Sequence, residues 1–395
     1  MKYFILVCDG MGDEPLAELN GRTPMEAAHT PAMDGLAAAG ELFTLATVPH
    51  GMAPGSDVAN LSLLGYRPER FYSGRAPLEA ASMNVHLAAD ETAFRCNLVT
   101  LTEKDEKLVM TDYSAGHIST PEAGELIAAL AAELNNAAIH FYPGVSYRHL
   151  LVTRGEYPAL STTPPHDHTG HEINEYWQRY QAQEPFAGLV NGARDILNRQ
   201  KVNRLRLAAG KNPANAIWLW GEGKAPEMAK LSSHYGISGA LISAVDLLKG
   251  IAIYAGMEVI TVPGATGYLD TNYQGKAQAA IEAATRHDLV FVHVEAADEA
   301  GHQGLVAEKI QAIEDFDQKI VRPLLAALKD TEFRMAVTPD HYTPVSLRSH
   351  ISKAVPLLIY DSRTSMSGGP AYSEQNAHRY GRHLANGEDF FKILL

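Results

Sequence analysis

Two hydrophobic patterns alternate along the chain, and its first segment shows the strand pattern. Residues 2–8, KYFILVC, form a short continuous apolar run that is cut off by Asp9 and a glycine. A run of this length that ends in a glycine turn predicts a fully buried strand. Residues 41–48, ELFTLATV, predict a second strand, and residues 23–40 between them predict a helix that is bounded by prolines and stopped by Gly40.

The C-terminal part repeats this alternation in a regular way. It contains a strand-to-helix unit at 240–256, strands at 257–262, 288–296, 333–341 and 355–361, and helices at 272–285 and 305–328. Strands that alternate with helices predict an α/β fold, with a mostly parallel sheet covered by helices on both faces. In such sheets ligands bind at the carboxyl ends of the strands, so residues that directly follow a strand are candidates for chemistry.

The pattern changes in the middle of the chain. Residues 84–113 are typical of strands paired as hairpins, with the polar turn KDEK at 104–107. ELIAALAAEL and INEYWQRYQAQ, which follow, have helical periodicity. We therefore predict a smaller α+β domain inserted into a discontinuous α/β domain, with the insertion at 80–225 and the α/β domain at 1–79 and 226–395.

Composition narrows the classes of function. Of the 395 residues, 46% are apolar and 20% are charged, which is typical of a soluble globular protein. The net charge of −13 argues against a general nucleic-acid binder, because affinity for the phosphate backbone comes mainly from Lys and Arg. A small anionic substrate stays compatible, since local arginines or metal ions reverse the field inside a cleft.

Cysteine usage and hydropathy indicate the compartment. Cys8 and Cys96 are too few for a disulfide framework, and Cys8 lies inside an apolar run, which is typical of a reducing environment. No segment approaches the length of a membrane span, and the N-terminal apolar run is too short for a secretion signal. The sequence therefore predicts a cytoplasmic protein without a membrane or nucleic-acid partner, and it leaves the oligomeric state open.

Acidic residues and histidines gather where the predicted strands end. They are Asp9 after the first strand, Asp298 and His302 after the strand at 288–296, Asp340 and His341 at the end of the strand at 333–341, and His350 shortly beyond. Each one alone has an ordinary explanation as a turn residue or an exposed helix start. Together, three aspartates and three histidines at one sheet edge predict a site for two divalent metals, because carboxylates and imidazoles suit Zn²⁺ or Mn²⁺. Two such ions would clamp the attacking and leaving oxygens of a phosphoryl transfer.

Ser56 lies at a Pro/Gly turn directly before helical periodicity, in PGSDVANLS. A serine at a helix N-terminus has an exposed hydroxyl and neighbouring free N–H groups that hold an anion. A metal bound to that oxygen would lower the pKa of the hydroxyl and make it a nucleophile. The alternative is that Ser56 or Asp57 only caps the helix. Beside the candidate ligands, the pattern favours the nucleophile.

Six stretches spread over the whole chain carry a resemblance to a known family: DGMGDEP, TPMEAAHTPAMDGLA, PGSDVANLSLLGY, YSGRAPLEAAS, VPGATGYLDTNYQGKA and EAADEAGHQG. Their order, with the later DH and H, resembles that of the alkaline phosphatase superfamily. More closely, the chain resembles the archaeal-type branch of the cofactor-independent phosphoglycerate mutases, which also occurs in bacteria. The resemblance implies an alkaline-phosphatase-like α/β domain with an inserted substrate domain.

The resemblance also implies a phosphoserine intermediate at two divalent metal ions, Mn²⁺ first, with Zn²⁺, Mg²⁺ or Co²⁺ as alternatives. By motif match, Asp9, Ser56, Asp340 and His341 would hold one metal, and Asp298, His302 and His350 the other. Ser56 would take the phosphoryl group from 3-phosphoglycerate and return it to the neighbouring hydroxyl, a step of glycolysis and gluconeogenesis. The inserted domain would bind the carboxylate and hydroxyls of the substrate and keep water out.

Three further residues match substrate contacts of the family. They are His117 in SAGHIST, Arg148 in PGVSYRH and Lys249 in SAVDLLKG. Arg148 would clamp a carboxylate or phosphate with both ends of its guanidinium, and Lys249 would contact a phosphate. His117 as a turn residue and Arg148 as a surface ion pair are equally open alternatives. The better-known bacterial branch has Arg-Asp where this chain has Arg148–His149, which leaves the remaining substrate contacts unassigned.

Two other classes of function remain open. One is a phosphotransferase or phosphatase that acts on another small substrate, a homoserine kinase included, because the scaffold is shared while the substrate domain differs. The absence of a recognisable nucleotide loop favours the mutase. The other is a metal-binding relic without activity, which the intact set of predicted ligands disfavours. The predicted partner is a small phosphorylated carboxylate.

Overall fold

The computed structural model describes residues 1–105, 107–157, 160–364 and 367–395. Its strands are β1 Lys2–Cys8, β2 Glu41–Leu45, β3 Glu91–Lys104, β4 Lys107–Asp112, β5 Ile139–Tyr142, β6 Arg148–Arg154, β7 Ala216–Gly223, β8 Gly239–Ile242, β9 Glu258–Ile260, β10 Leu289–Val294, β11 Phe333–Thr338, β12 Val355–Asp361 and β13 Arg382–Leu384. Its helices are α1 Pro24–Ala27, α2 Pro31–Ala39, α3 Ser56–Leu63, α4 Pro68–Phe71, α5 Arg75–Ser82, α6 Thr120–Leu134, α7 Asn174–Gln181, α8 Phe186–Asn198, α9 Lys201–Ala208, α10 Leu231–His234, α11 Asp246–Tyr254, α12 Tyr273–Ala284, α13 Ala296–Gln303, α14 Val306–Phe316, α15 Arg322–Ala327, α16 Glu374–Tyr380 and α17 Gly387–Leu394. Within the described ranges, none of these helices combines the length and the apolar character that crossing a membrane requires.

Packing of the described residues divides the chain into two compact units. The larger unit consists of Met1–Tyr72 and Glu227–Leu395, and the smaller unit of Ser73–Pro226. Compactness alone does not define an independently folding domain. The domain boundaries expected from the sequence, at 79/80 and 225/226, therefore stay a prediction.

The larger unit contains an eight-stranded sheet in the order β13-β2-β12-β11-β1-β10-β8-β9. Only β12 runs against the other strands of this sheet, pairing antiparallel with β11 and β2. The predicted fold class, a mostly parallel sheet in an α/β fold, is confirmed. The strand order places β10, β1 and β11 side by side, so that their carboxyl ends meet at one edge of the sheet.

The first strand shows why both faces of this sheet are covered. Phe4 and Leu6 lie on one face of β1 and Ile5 and Val7 on the other, since successive side chains alternate. All four are fully buried. Phe4 and Leu6 join a core cluster with alanines of α12 and apolar residues of α14. The continuous apolar run thus forms a strand buried on both sides, as the sequence predicts.

Two predicted helices are interrupted. Residues 23–40 form two helices, because the chain is extended at Ala28 and α2 begins afresh at Pro31, which has no N–H to continue an earlier helix. The predicted helix at 305–328 consists of α14, a π-helical segment Asp317–Val321 and α15. The carboxylate of Asp317 accepts hydrogen bonds from two backbone N–H groups in the first turn of α2. The interruption thus lies where this helix binds the N-terminus of another.

The smaller unit is built on an antiparallel sheet in the order β4-β3-β6-β5, with β7 also paired to β3. The hairpin of β3 and β4 confirms the one predicted over 84–113, and Glu106 of its KDEK turn lies outside the described residues. Helices α6, α7 and α8 pack around a core that includes the fully buried Trp218. This unit is therefore α+β in character.

Candidate metal centre

The candidate ligands of the larger unit lie at the carboxyl ends of the neighbouring strands β10, β1 and β11. Asp9 follows β1 directly, Asp298 lies in the first turn of α13 after β10, and Asp340 and His341 follow β11 closely. Ser56 is the first residue of α3. The sheet thus brings together side chains that are far apart in the sequence.

Asp9, Asp340 and His341 form one group that could hold a metal ion. One donor atom from each lies within 4.8 Å of the others, and all three side chains are buried. Ser56 joins this group, because its Oγ lies 3.2 Å from Nε2 of His341. Gly55, not Ser56, holds the N-cap position of α3, and no side-chain capping hydrogen bond is made there. The serine hydroxyl is thus directed to the candidate ligands instead of to its own helix.

Asp298, His302 and His350 form a second group. Nε2 of His302 and Nε2 of His350 each lie 3.3 Å from an oxygen of Asp298, and the two nitrogens are 2.8 Å apart. Nδ1 of His302 lies 3.1 Å from the carbonyl oxygen of Arg348, to which it donates, so that Nε2 faces the group. His341 also lies within 4.8 Å of Asp298 and His350, and is therefore shared geometrically by both groups.

Thr343 connects the two groups. Its hydroxyl donates to Oδ1 of Asp298 and lies 3.2 Å from Nδ1 of His341. Because the hydroxyl proton is engaged by the carboxylate, Nδ1–H of His341 donates to the threonine oxygen and Nε2 keeps its lone pair. The sequence carries no motif that would have singled out this residue.

Asn60 fixes the serine side of the centre. Its Nδ2 donates to the carbonyl oxygen of Ser56 at 2.8 Å and to Oδ2 of Asp340 at 2.9 Å. Thr47 donates to the carbonyl oxygen of Asp340 at 2.6 Å. Both side chains are buried, so the first turn of α3 and the loop after β11 are held together without solvent.

Buried carboxylates face one another here, and their pKa values diverge. Burial, reinforced by the charges of Asp340 and Asp298, raises the pKa of Asp9 well above its usual range. Burial also acts on Asp340 and Asp298, but contacts with nearby imidazoles outweigh it and lower the pKa of both carboxyls. The hydrogen bond to Asp298 raises the pKa of His302 to about 9. A divalent cation would replace this repulsion among carboxylates by attraction.

The residues present fit such cations. Oδ1 of Asp9 is buried, and in the described structure it has no hydrogen-bond partner. A buried carboxylate oxygen in that position costs free energy unless it meets a cation. Carboxylate oxygens and imidazole nitrogens are also the donors that Mn²⁺ and Zn²⁺ accept. The two groups therefore fit two divalent metal ions.

His293 lies beside this centre, although it is not among the candidates predicted from the sequence. It lies in β10, and its Nε2 is 3.3 Å from Oδ2 of Asp9. Its Nδ1 is 3.1 Å from Oε1 of Glu295. A histidine inside an apolar strand is typical of an ordinary core residue, which is why it was missed. The available signal was its spacing of two from Glu295, which puts both on one side of the extended chain.

Comparison with known proteins identifies the family. A family model for 2,3-bisphosphoglycerate-independent phosphoglycerate mutase matches residues 37–203. The chain is 53% identical, over the full length of both proteins, to the 2,3-bisphosphoglycerate-independent phosphoglycerate mutase of Methanosarcina acetivorans. It is 49% identical, again over both full lengths, to the probable enzyme of that name from Geobacter sulfurreducens. The chain belongs to this family of phosphoglycerate mutases.

Solved structures agree with that assignment. A protein from Pyrococcus horikoshii matches with a TM-score of 0.82 at 29% identity, covering 100% of this chain and 96% of that one. The cofactor-independent phosphoglycerate mutase of Thermoplasma acidophilum matches with a TM-score of 0.68 at 26% identity, covering 100% and 99%. The resemblance described from sequence motifs is thereby confirmed at the level of the family.

Two candidate substrate residues of this mutase family lie in the smaller unit. His117 and Arg148 are both exposed and both lie beside Tyr147. The ring centroids of His117 and Tyr147 are 6.2 Å apart, and the Arg148 guanidinium lies 5.8 Å from the Tyr147 centroid. Arg95 lies on the neighbouring strand β3, stacked on Trp220 at 4.0 Å. The structure thus places the two candidates on one aromatic and cationic surface.

His149 occupies the position where the bacterial branch of the family has aspartate. It is buried, and its Nδ1 accepts a hydrogen bond from the N–H of Gly144 at 2.9 Å. Burial lowers the pKa of His149 to about 4, so the imidazole is neutral and can accept. We interpret it as the support of the turn before Arg148.

Lys249, the third candidate, lies in α11 of the larger unit. Its ammonium is 2.9 Å from Oδ1 of Asp246, three residues earlier on the same helix. The side chain is 22% exposed, so it remains accessible to an anion. Its role as a phosphate contact of the mutase family stays a prediction.

Proposed function

We propose that this protein is an isomerase that interconverts 3-phosphoglycerate and 2-phosphoglycerate through a phosphoserine on Ser56, as a step of glycolysis and gluconeogenesis. The observation that carries the proposal is the position of the serine. Its Oγ lies 3.2 Å from Nε2 of His341, at the start of α3 and beside both groups of candidate metal ligands. Membership of the mutase family supports the substrate pair.

Two divalent metal ions complete this centre, with Mn²⁺ as the expected ion. One would be held by Asp9, Ser56, Asp340 and His341, and the other by Asp298, His302 and His350. When bound, the ions supply positive charge that lowers the pKa of a serine hydroxyl and balances the charge of a transferring phosphoryl group.

The N-terminus of α3 contributes through its backbone. Ser56 is the first helical residue, and the first N–H groups of a helix have no partner within it. In this first turn the N–H of Val58 donates to Oδ1 of Asp57, and the helix dipole favours negative charge, such as that of a phosphoryl group, at this end. Asn60 holds the backbone of Ser56 in place by its 2.8 Å hydrogen bond.

A mutase must return its phosphoryl group to glycerate before water attacks. The proposed contacts for this task are Arg148 and His117 on the smaller unit and Lys249 on the larger unit. The planar guanidinium of Arg148 suits bidentate binding of the glycerate carboxylate. Holding that group would allow the remaining two hydroxyls to alternate at the phosphoserine, and exclusion of water would favour transfer over hydrolysis.

An enolase-coupled assay tests the proposal. Purified protein loaded with Mn²⁺ is expected to convert 3-phosphoglycerate without added 2,3-bisphosphoglycerate. Ser56→Ala is expected to lower kcat by more than about 10³-fold, because no other nucleophile replaces the hydroxyl. Elemental analysis should still find metal in that variant, since carboxylates and imidazoles remain. Ser233→Ala, at an exposed serine of α10 in the same unit, serves as the control and should retain activity.

If metal-loaded wild-type protein does not convert 3-phosphoglycerate, the proposed mutase activity is contradicted. The same preparation should then be given ATP and homoserine. Formation of phosphohomoserine would identify the alternative phosphotransferase. Phosphate release from 3-phosphoglycerate, without 2-phosphoglycerate, would identify a phosphatase.

A further inference from the structure

A chain of buried charged groups lies directly behind Asp9. It runs from Lys276 in α12 through Glu295 to His293 in β10. The side chains are 0%, 5% and 0% exposed, respectively. Nζ of Lys276 lies 3.1 Å from Oε2 of Glu295, and Oε1 of Glu295 lies 3.1 Å from Nδ1 of His293.

The contacts of Glu295 determine how His293 is held. Oε1 accepts from the hydroxyl of Ser243 at 3.1 Å and from the N–H of Ala244 at 3.3 Å. Oε2 accepts from Lys276, whose ammonium also donates to the carbonyl oxygen of His293 at 2.9 Å. A carboxylate that accepts on both oxygens leaves Nδ1 of His293 the role of donor. The ring is thus fixed from one side.

The other ring nitrogen faces Asp9. Nε2 of His293 is buried and makes no hydrogen bond in the described structure; it lies at ion-pair distance from Asp9, 3.3 Å from its Oδ2, and 3.9 Å from Oδ2 of Asp340. The second oxygen of Asp9, Oδ1, has no hydrogen-bond partner among the described residues and lies 3.5 Å from Nε2 of His341. The two oxygens of Asp9 therefore have different surroundings. Oδ2 faces the histidine and Oδ1 faces the candidate ligands.

Stability alone does not explain such an arrangement. Burying a lysine, a glutamate and a histidine carries a large desolvation cost, and apolar residues of similar volume would pack at least as well. Metal-binding side chains, by contrast, are commonly oriented by a partner that is itself hydrogen-bonded, and carboxylate ligands are included in that pattern. The chain of contacts behind Asp9 has this form.

We propose that His293, held by Glu295 and Lys276, is a positioning residue that fixes the carboxylate of Asp9 with Oδ1 directed to the metal shared with Asp340. The proposal rests on the metal centre of the proposed function, but not on its substrate. His293 holds the ligand from behind and does not itself bind the ion.

Titration of the full-length protein with Mn²⁺ tests this role without measuring activity. His302→Ala, which lacks a ligand of the second group, provides a background with one ion at Asp9. In that background His293→Gln is expected to raise the Kd for the Mn²⁺ ion at Asp9 by about 10- to 100-fold, which is the usual effect of removing such a partner. Glu295→Gln should act in the same direction, because the imidazole stays but its acceptor loses the negative charge.

A matched control comes from the opposite end of the same strand. His287 precedes β10 and also pairs with a glutamate, Glu258, at the edge of the sheet. His287→Gln in the His302→Ala protein should leave the Kd within about twofold of the Kd of His302→Ala alone. Melting temperatures of the metal-free proteins separate positioning from general damage, since the proposal requires a weaker Kd at an unchanged melting temperature in His293→Gln. Glu295→Gln also leaves the buried ammonium of Lys276 without its carboxylate and is expected to melt at a lower temperature.

Three results would overturn the inference. One is a Kd unchanged by both substitutions. Another is a weaker Kd of His293→Gln that is accompanied by a lower melting temperature of that variant. The third is loss of a directly bonded nitrogen from the electron spin echo spectrum of bound Mn²⁺ in His293→Gln, which would make His293 a ligand. Wild-type protein that binds two Mn²⁺ ions without turning over phosphoglycerate would contradict the proposed function and leave this inference standing.

Discussion

Gly10 follows Asp9 in a left-handed turn and lies against the carboxylate of Asp298. Its φ is +59°, and a Cβ there would lie 2.5 Å from Oδ1 of Asp298 and 2.6 Å from Oγ1 of Thr343. The N–H of Gly10 also donates to Oδ1 of Asp340 at 3.2 Å. The glycine thus lets the backbone pass between three aspartates that are candidate ligands, which a larger residue would push apart.

Gly10→Ala is therefore expected to weaken Mn²⁺ binding and to lower kcat by at least about tenfold, because the added methyl group displaces the Asp298 carboxylate. Gly21→Ala is the matched control. Its φ is +79°, and a Cβ there meets nothing within 4 Å, so it shares only the left-handed strain of about 1–2 kcal/mol. Calorimetric Mn²⁺ titration of both variants checks this, and equal loss of affinity in the two would contradict it.

Helix α14 does more than cover the sheet. Nζ of Lys309 lies 2.7 Å from Oδ2 of Asp13 and also donates to the carbonyl oxygens of Gly12 at 3.2 Å and Thr343 at 2.8 Å. Both charged side chains are fully buried. One ammonium from the helix therefore ties the loop after β1 to the loop after β11. The positions of Asp9 and His341 depend on these two loops.

Lys309→Met is expected to lower the free energy of unfolding by about 3–5 kcal/mol, since it leaves the charge of Asp13 buried and unpaired. The double variant Lys309→Met with Asp13→Asn should recover part of that loss. Lys392→Met, which removes an exposed i, i+3 partner of the exposed Asp389 side chain, should cost no more than about 1 kcal/mol. Urea unfolding in the presence of a chelator measures all three, and similar losses for the two lysines would refute the argument.

At the scale of the whole molecule, a buried carboxyl couples stability to pH. Glu374, in α16, accepts from the N–H of Asp13 at 3.1 Å and from the hydroxyl of Thr23 at 2.8 Å. Burial raises the pKa of Glu374 from 4.5 to about 7. The folded state therefore binds a proton that the unfolded state has released between these pH values. The stabilisation is present below pH 4.5 and is lost as the pH rises through 7.

Glu374→Gln removes this titration. Between pH 5 and pH 8 the free energy of unfolding of the variant is expected to gain about 3 kcal/mol relative to wild type, which corresponds to the pKa difference. Urea unfolding at several pH values, at constant ionic strength and with chelator, measures the difference. Glu18→Gln, at an exposed residue, is the control. Parallel pH profiles of Glu374→Gln and wild type would contradict the assignment.

The residues at the strand ends show how much of the structure can be predicted from the sequence. Periodicity predicted β1, β10 and β11 and the acidic residues and histidines beside them, because a buried strand is encoded by neighbouring residues. The predicted ligands do lie together in the structure, although their binding of metal stays a prediction. The interruption of the predicted helix at 305–328 and the reversed direction of β12 were beyond local patterns, since both depend on what those segments pack against.

The sequence by itself determined the order and type of the elements, the chemical character of the strand ends and, through its motifs, the family. Only the tertiary structure decided which polar groups share a buried space. Thr343 in a loop and Lys309 on a covering helix have no local pattern that distinguishes them, and His293 inside an apolar strand has only its spacing of two from Glu295. Their roles arise from contacts between distant segments, where a buried charge or hydrogen-bonding group must find its partner.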